Sequence, residues 1–506
     1  MLFKIASASL IGIDAYIVEV EVDISFGMPA YVTVGLPDTT VRESKERVRA
    51  ALKNCGYSFS SRKIIINLAP ADRKKEGSAF DLPIALGILA HLEVFPEEKL
   101  HEYLFLGELA LDGRLKPQKG ILSMAVLAKK KGYAGIVIPI ENEREAALVQ
   151  GIDIYAMEDL VQVVEFLNGS ESIAPSCYLP EELLPASEYD VDFEEIKGQQ
   201  HVKRALEVAA AGSHNILLIG PPGAGKTMMA RRLSTILPPM TFSEILDVTR
   251  VYSASGLLKN RNAICERPFC SPHHTISGAG LIGGGKIPKP GNVSLAHHGV
   301  LFLDELSEFQ KHVLESLRQP LEDGEVTISR ASMTVTYPSS FMLVAAMNPC
   351  EDAMFGMLAS DFECTGSQRM RYYSKVSGPL MDRIDIQVEV AKVEFKDIIS
   401  RREGEKSEHV RARVICARDI QNRRFKERNI YNNAQMGNKD VASYCSVNKG
   451  GEELMEMAVD KLGFSARAYN RVLKVARTIA DLNGEENISV VHISEAIQYR
   501  ILDKYF

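Results

Sequence analysis

The chain has 506 residues, 46% hydrophobic and 25% charged, an ordinary soluble composition with length for roughly three domains. Its 59 Lys and Arg against 66 Asp and Glu give a formal charge of −7, which excludes a uniformly basic nucleic-acid coat and leaves room for a local basic channel. Eight scattered cysteines do not have the density of a secreted disulfide scaffold, and no apolar run reaches the roughly 18 to 20 residues of a membrane span, so a reducing, cytoplasmic setting is expected.

The opening MLFKIASASL is a short apolar run without a basic leader, and DAYIVEVEVD alternates as a strand does. AYVTVGL and KIIINLAP are further strand signals. Between them, TTVRESKERVRAALKNCGY has helical period and a stop at Gly56. SAFDLPIALGILAHL predicts another helix, and the Asp112-Gly113 pair within YLFLGELALDGRLKP predicts a hairpin. Residues 1–168 therefore read as an α/β domain. Residues 169–190, rich in Pro, Ser and acids without sustained periodicity, read as a linker. Over 191–390 the short apolar runs NILLIG, GVLFLDE and FMLVAAMN predict buried strands of a parallel sheet. Residues 391–506 read as helices, among them HVRARVICARDIQNRRFKE and SARAYNRVLKVARTIADL.

Gly220, Pro221, Pro222, Gly223, Ala224, Gly225, Lys226 and Thr227 fit G-x-x-x-x-G-K-[ST] and lie between an apolar strand and a helix-forming run. In that frame the glycines let backbone amides close on phosphate oxygens, Lys226 neutralises β/γ charge and Thr227 is a ligand for Mg2+. GVLFLDEL then buries a strand whose carboxyl end releases Asp304 and Glu305. Asp304 is expected to hold Mg2+ through water, and Glu305 to orient or deprotonate the attacking water. ATP and Mg2+ are the cofactors expected.

GPPGAGKT, GVLFLDE, the strand-ending Asn348 of FMLVAAMN and SGPLMDRIDIQVEV resemble the AAA+ ATPase module. With SPHHTISGAGLIGGGKIPKPGNVSLAHHGVLFLDELSEF and FSARAYNRVLKVARTIADL, the wording resembles the magnesium-chelatase-like branch, and within it the YifB/ComM family, over nearly the whole chain. The resemblance implies an AAA+ P-loop core over 191–390 and a helical lid over 391–506. It also implies Asn348 as the polar sensor beside the attacking water, Arg383 as an arginine finger reaching a neighbouring subunit's site, and Arg467 as a second arginine sensor, with Arg471 one turn away as the alternative. A homo-hexamer is the implied assembly.

The Gly-rich stretch SGAGLIGGGKIPKPGN reads either as a floppy connector or, by the resemblance, as a pore-lining insertion offering Lys286 and Lys289 to phosphates. EVTISRASMTVTYPSSF alternates as a hairpin with Arg330 at its tip. His273 and His274 are adjacent without a second ligand pair, so polar loop contacts are expected of them rather than a metal. Relatives usually carry two Cys-x-Cys pairs after the sensor Asn; this chain has Cys350 and Cys364 with Asp352 and Phe362 in the other places, so no zinc is expected.

INLAPADRKKEGSAFDLPIALGIL and FLGELALDGRLKPQKGILSMAVLAKKKGYAGIVIP resemble the Lon-protease-like fold. Ala79 falls at the serine position of the family's Ser-Lys dyad and Leu122 at the lysine position, and nearby Ser78 has no lysine in the matching place to activate it, so proteolysis is not expected. Arg62, Lys63, Arg73, Lys74, Lys75 and Lys129 to Lys131 leave phosphate contact or a solvated charged face as the two readings of this domain's surface. The function the resemblance implies is an ATP-driven DNA helicase or branch-migration factor acting in recombination or natural transformation. A magnesium-chelatase-type motor acting on a porphyrin, or a protein-remodelling unfoldase, is the alternative.

Overall fold

The computed structural model describes residues 2–58, 62–170, 173–176, 178, 189–258, 261–330, 333–350, 364–376, 378–392, 404–426, 428 and 430–500. Most of the linker expected over 169–190 lies outside the described residues, as do Asp352 and Phe362. The chain forms two compact units, Met1–Ala186 with Phe242–Cys265, and Ser187–Thr241 with Glu266–Phe506.

In the first unit, β1 (Leu2–Ile11), β2 (Asp14–Ser25), β3 (Ala30–Val34) and β4 (Lys63–Ala69) make a sheet of order β1-β2-β4-β3. β1 and β2 form an antiparallel hairpin, and β3 joins β4 in parallel as an edge strand. The alternation of YIVEVEVDI sends Val18, Val20, Val22 and Ile24 into the core and Glu19 and Glu21 to the other face. α1 (Thr39–Asn54) starts where the Asp38 carboxylate accepts the Val41 amide at 2.8 Å, and it buries Val41, Val48, Ala51 and Leu52. α2 (Asp81–His91) is almost wholly buried, and Gly87 lets it approach the sheet: a Cβ there would meet Val22 Cγ2 at 2.5 Å.

A parallel sheet of order β5-β8-β9 follows, from β5 (Tyr103–Phe105), β8 (Gly135–Pro139) and β9 (Asp153–Met157). The hairpin read at Asp112-Gly113 is β6 (Glu108–Leu109) with β7 (Leu115–Lys116). α3 (Ile121–Lys131) packs against the helix Phe242–Ser255. That helix lies inside the span 191–390 that the sequence reading gives to the ATPase core, yet it clusters with the N-terminal unit. The anchors are polar: Arg250 bonds Asp14 at 2.8 Å, and Ser253 donates to the buried Glu145, which also accepts the Leu122 amide at 3.0 Å.

The second unit is built on a parallel sheet of order β11-β14-β17-β10-β18: β10 (Ile216–Ile219), β11 (Phe269–Cys270), β14 (Val300–Leu303), β17 (Met342–Met347) and β18 (Ile386–Glu389). β10, β14 and β17 are buried at every residue, which is why their sequences are continuous apolar runs. The C-terminal helices Ser407–Arg424, Lys449–Leu462, Ala466–Leu482 and Val490–Gln498 share one hydrophobic cluster with this sheet. Among the described residues no helix is long and apolar enough to cross a membrane.

Candidate nucleotide-hydrolysis site

The central strand β10 ends at Gly220, whose amide bonds the Met347 carbonyl at 3.2 Å while Val390 bonds Ile219 on the other flank at 2.7 Å. A Cβ on Gly220 would lie 2.2 Å from the Val390 carbonyl oxygen, so only glycine fits between the two neighbours. The loop closes through Ala224 on the Pro221 carbonyl at 3.2 Å, and Gly225, at φ +88°, turns the chain into the helix Lys226–Ile236. The amide-rich N-terminus of that helix faces the loop, the frame in which phosphate is held.

Lys226 is buried, and its Nζ donates to the Gly220 carbonyl at 2.5 Å, the Pro221 carbonyl at 3.0 Å and Asn348 Oδ1 at 2.9 Å. The Thr227 hydroxyl donates to Asp304 Oδ2 at 2.6 Å. A hydroxyl and a carboxylate so close are hard oxygen donors of the kind Mg2+ takes, so the residues present fit the cation and the triphosphate that the sequence motif implies. Asp304 Oδ1 accepts the Glu305 amide at 3.0 Å, and Glu305 itself sits at φ +53°, a left-handed turn that non-glycine residues seldom adopt.

The sheet order thus brings Lys226, Thr227, Asp304, Glu305 and Asn348 to the carboxyl ends of adjacent strands. Two contacts there were not readable from the motifs. Glu305 pairs with His274 Nδ1 at 3.0 Å, and His274 stacks on His273 with ring centroids 4.1 Å apart. Tyr372 donates its hydroxyl to the Asn348 carbonyl at 2.9 Å. The SPHHT segment gave no local signal for the first pairing, because the two partners are separated by the whole Gly-rich segment.

Arg383 and Arg467 have other partners. Arg383 is buried against Glu322 and the Pro379 carbonyl. Burial and the charges of Arg318, Arg467 and Arg471 lower its affinity for the proton, which marks a gathering of four arginines. Its acidic partner is Glu322 and not the adjacent Asp382 or Asp385, which face Arg467 and Arg471. Arg467 is exposed, 3.5 Å from Asp382, whereas Arg471 is bound to Asp385. Burial opposes ionisation of Asp385, but Arg471, His214 and Lys474 hold it well below the usual carboxylate range.

The Gly-rich segment is not a floppy connector. Ser277 caps the helix Gly278–Ile282, accepting the Gly280 amide at 3.1 Å, and β12 (Gly283–Gly284) pairs with β13 (Lys289–Pro290). The predicted hairpin is β15 (Glu325–Arg330) with β16 (Met333–Pro338). It docks on the Gly-rich segment through Tyr337, bonded to the Pro288 carbonyl at 2.8 Å, and Arg330, 3.4 Å from the Gly285 carbonyl. Lys286, Lys289 and Arg330 are all exposed. Cys350 and Cys364 are buried.

In the N-terminal unit, Ala79 and Leu122 are buried, and Ser78 pairs with Glu108 rather than with a lysine. Lys75 is buried with its Nζ on the Arg73 and Pro70 carbonyls, so it is a structural cation and not part of a charged face.

The family model described as magnesium chelatase, subunit ChlI, matches residues 192–398, its ChlI C-terminal model matches 404–500, and a third, subunit ChlI of Mg-chelatase, matches 20–142. The chain is 43% identical to Competence protein ComM of Haemophilus influenzae over 98% of its own length and 97% of that protein's. It is 41% identical to the YifB protein of Salmonella typhimurium over 98% and 96% of the two lengths. It is also 25% identical to the magnesium-chelatase 38 kDa subunit of Cereibacter sphaeroides, over 34% of this chain and 56% of that one.

Proposed function

This chain belongs to the ComM/YifB family of magnesium-chelatase-like AAA+ proteins, and from that premise we propose that it is a cytoplasmic, ATP-driven motor that works on DNA as a homo-hexamer, migrating branches in recombination or natural transformation. The observation that supports the DNA reading is the docking of the β15-β16 hairpin on the Gly-rich segment, which brings Arg330 to the segment that carries Lys286 and Lys289, all three exposed. Cations grouped on a motor module suit a phosphate backbone whatever its sequence. The Haemophilus relative is named a competence protein, which supports this reading.

Bound ATP with Mg2+ supplies the anhydride whose hydrolysis drives the cycle. Lys226 and the amides at the start of its helix would hold the β- and γ-phosphates, and Thr227 and Asp304 would hold the cation. Glu305 accepts the proton of the attacking water, and Asn348, oriented by Lys226 and Tyr372, aligns that water. Arg383 from the neighbouring subunit stabilises charge on the γ-phosphate, and Arg467, exposed on the C-terminal helices, senses the nucleotide. The expected dyad positions hold Ala79 and Leu122, neither of which can act as a nucleophile or a base, so this reading assigns the N-terminal unit no peptide cleavage.

The second reading, a chelatase-type motor subunit, draws on the 38 kDa relative, whose likeness spans only 34% of this chain. Steady-state ATPase activity with no DNA, single strand, linear duplex and a four-way junction separates the readings, with Glu305→Gln as control. A DNA motor is stimulated by DNA and loses at least about 100-fold in the control. Stimulation greatest with the junction supports branch migration. Hydrolysis indifferent to every DNA rejects the reading.

A further inference from the structure

In the N-terminal unit, α1 and β3 border a cavity of about 500 Å3 whose lining includes Lys45, Arg49, Lys53 and Arg62 together with Tyr31 and Tyr57. None of the described residues lining it is acidic, in a chain whose formal charge is −7. Glu46 stands 3.7 Å from Lys45, with its side chain 74% exposed and screened by water. Aromatic surface is interleaved with the cations. Lys45 lies 5.9 Å from the Tyr31 ring centre, and the Arg62 guanidinium lies 4.8 Å over Phe26, a ring 89% exposed at the rim. Arg62 is fixed from behind by the His91 ring nitrogen at 2.6 Å.

The arrangement has a repeat. Lys45, Arg49 and Lys53 stand at i, i+4 and i+8 of α1, so they share a face and rise about 6 Å from one to the next. That is the scale of the step between successive phosphates of one nucleic-acid strand. The recess beside them has the volume for a base turned out of its stack, and rings are on hand to stack it. A duplex turns its bases inward and has no use for such a recess.

We propose that the cavity between α1 and β3 is a second strand-binding site, which takes two or three nucleotides of single-stranded DNA with phosphates on Lys45, Arg49 and Lys53 and a base among Tyr31, Tyr57 and Phe26. It is separate from the cations of the ATPase module. The identity of the strand as DNA rests on the motor reading; the site itself rests on the geometry. Its use is to hold a displaced strand away from the one being moved.

The test uses the full-length protein and a fluorescent 15-nucleotide dT strand, with binding read by anisotropy across a salt series. The Arg49→Glu/Lys53→Glu variant is expected to bind at least 10-fold more weakly with a salt slope lower by about 2, since each lost phosphate contact removes about 1. Arg49→Lys/Lys53→Arg keeps the charges and is expected to bind within about 2-fold of wild type. Tyr57→Ala is expected to weaken binding without changing the slope, and thermal melting of each variant reads its folding. The proposal is overturned if charge reversal in a folded variant leaves affinity and slope unchanged, or if polyglutamate of equal charge displaces the strand as well as unlabelled dT does. The two readings fail separately: DNA-stimulated hydrolysis with unaffected strand binding in the reversed variant rejects this site alone, while strand binding lost in that variant with hydrolysis indifferent to DNA rejects the motor alone.

Discussion

His274 holds the carboxylate of Glu305 at 3.0 Å, and that contact fixes what its removal should do. If Glu305 is the base, as proposed above, the imidazole competes with the attacking water for its carboxylate, so His274→Ala is expected to raise DNA-free ATP turnover about 3-fold or more and to shrink the extra stimulation by DNA. Turnover that falls while Tm stays at the wild-type value would show that the histidine instead orients the base productively. A second histidine reports on stability. His297 is buried, with the charge of His298 beside it, and its pKa is pushed down to about 3, while Nδ1 accepts the Ser340 amide at 3.1 Å. An unfolded histidine takes up its proton near 6.5. Between these values the unfolded chain binds the extra proton, so stability falls as pH is lowered, by about 1.6 kcal/mol from pH 6.5 to pH 5. Urea titrations at the two pH values should show that loss, and His297→Asn should remove it; equal pH slopes in both proteins would contradict the assignment. Lys226, Thr227, Asp304 and Glu305 were legible in sequence because each motif is a contiguous string. The His274 and Tyr372 contacts were not, because they join residues far apart in the chain.

Among elements, the turn from β10 to the helix Lys226–Ile236 is the most constrained. Gly220 faces the Val390 carbonyl so closely that Gly220→Ala must push β10 and the residues after β18 apart. The phosphate loop starts at that residue, so nucleotide affinity is expected to drop at least about 10-fold with a stability loss of about 1–3 kcal/mol. Fluorescent-nucleotide titration beside thermal melting checks both, and unchanged affinity would mean that the loop is not set by this contact. The buried strands were readable from NILLIG, GVLFLDE and FMLVAAMN, since two-sided burial demands continuous apolar sequence. The allegiance of Phe242–Ser255 was hidden. Its anchors are Arg250 to Asp14 and Ser253 to Glu145, polar pairs with no periodic trace that bind the helix to the unit it does not adjoin in sequence. The Gly-rich segment was equally opaque, because its order comes from Tyr337 and Arg330 of a later hairpin.

If the chain assembles as proposed, Arg383 serves either its own site or a neighbour's. In the single chain it is held by Glu322, whose side chain is 46% exposed, so exchanging that partner for a neighbour's phosphate costs little. Arg318, Arg467 and Arg471 crowd the same place, and a gathering of positive charge that depresses Arg383's proton affinity is relieved by an incoming anion. If the finger acts across the interface, Arg383→Ala and Glu305→Gln each abolish hydrolysis but damage opposite sides of it. A chain lacking the finger still offers a complete Lys226, Asp304 and Glu305 set, and a chain lacking the base still offers the finger. Co-assembled in equal amounts, about one interface in four pairs the two intact sides, so about a quarter of wild-type turnover should return if interfaces act independently. Mixed rings verified by affinity tags but without recovered turnover would place Arg383 in the service of its own chain, where it is held by Glu322.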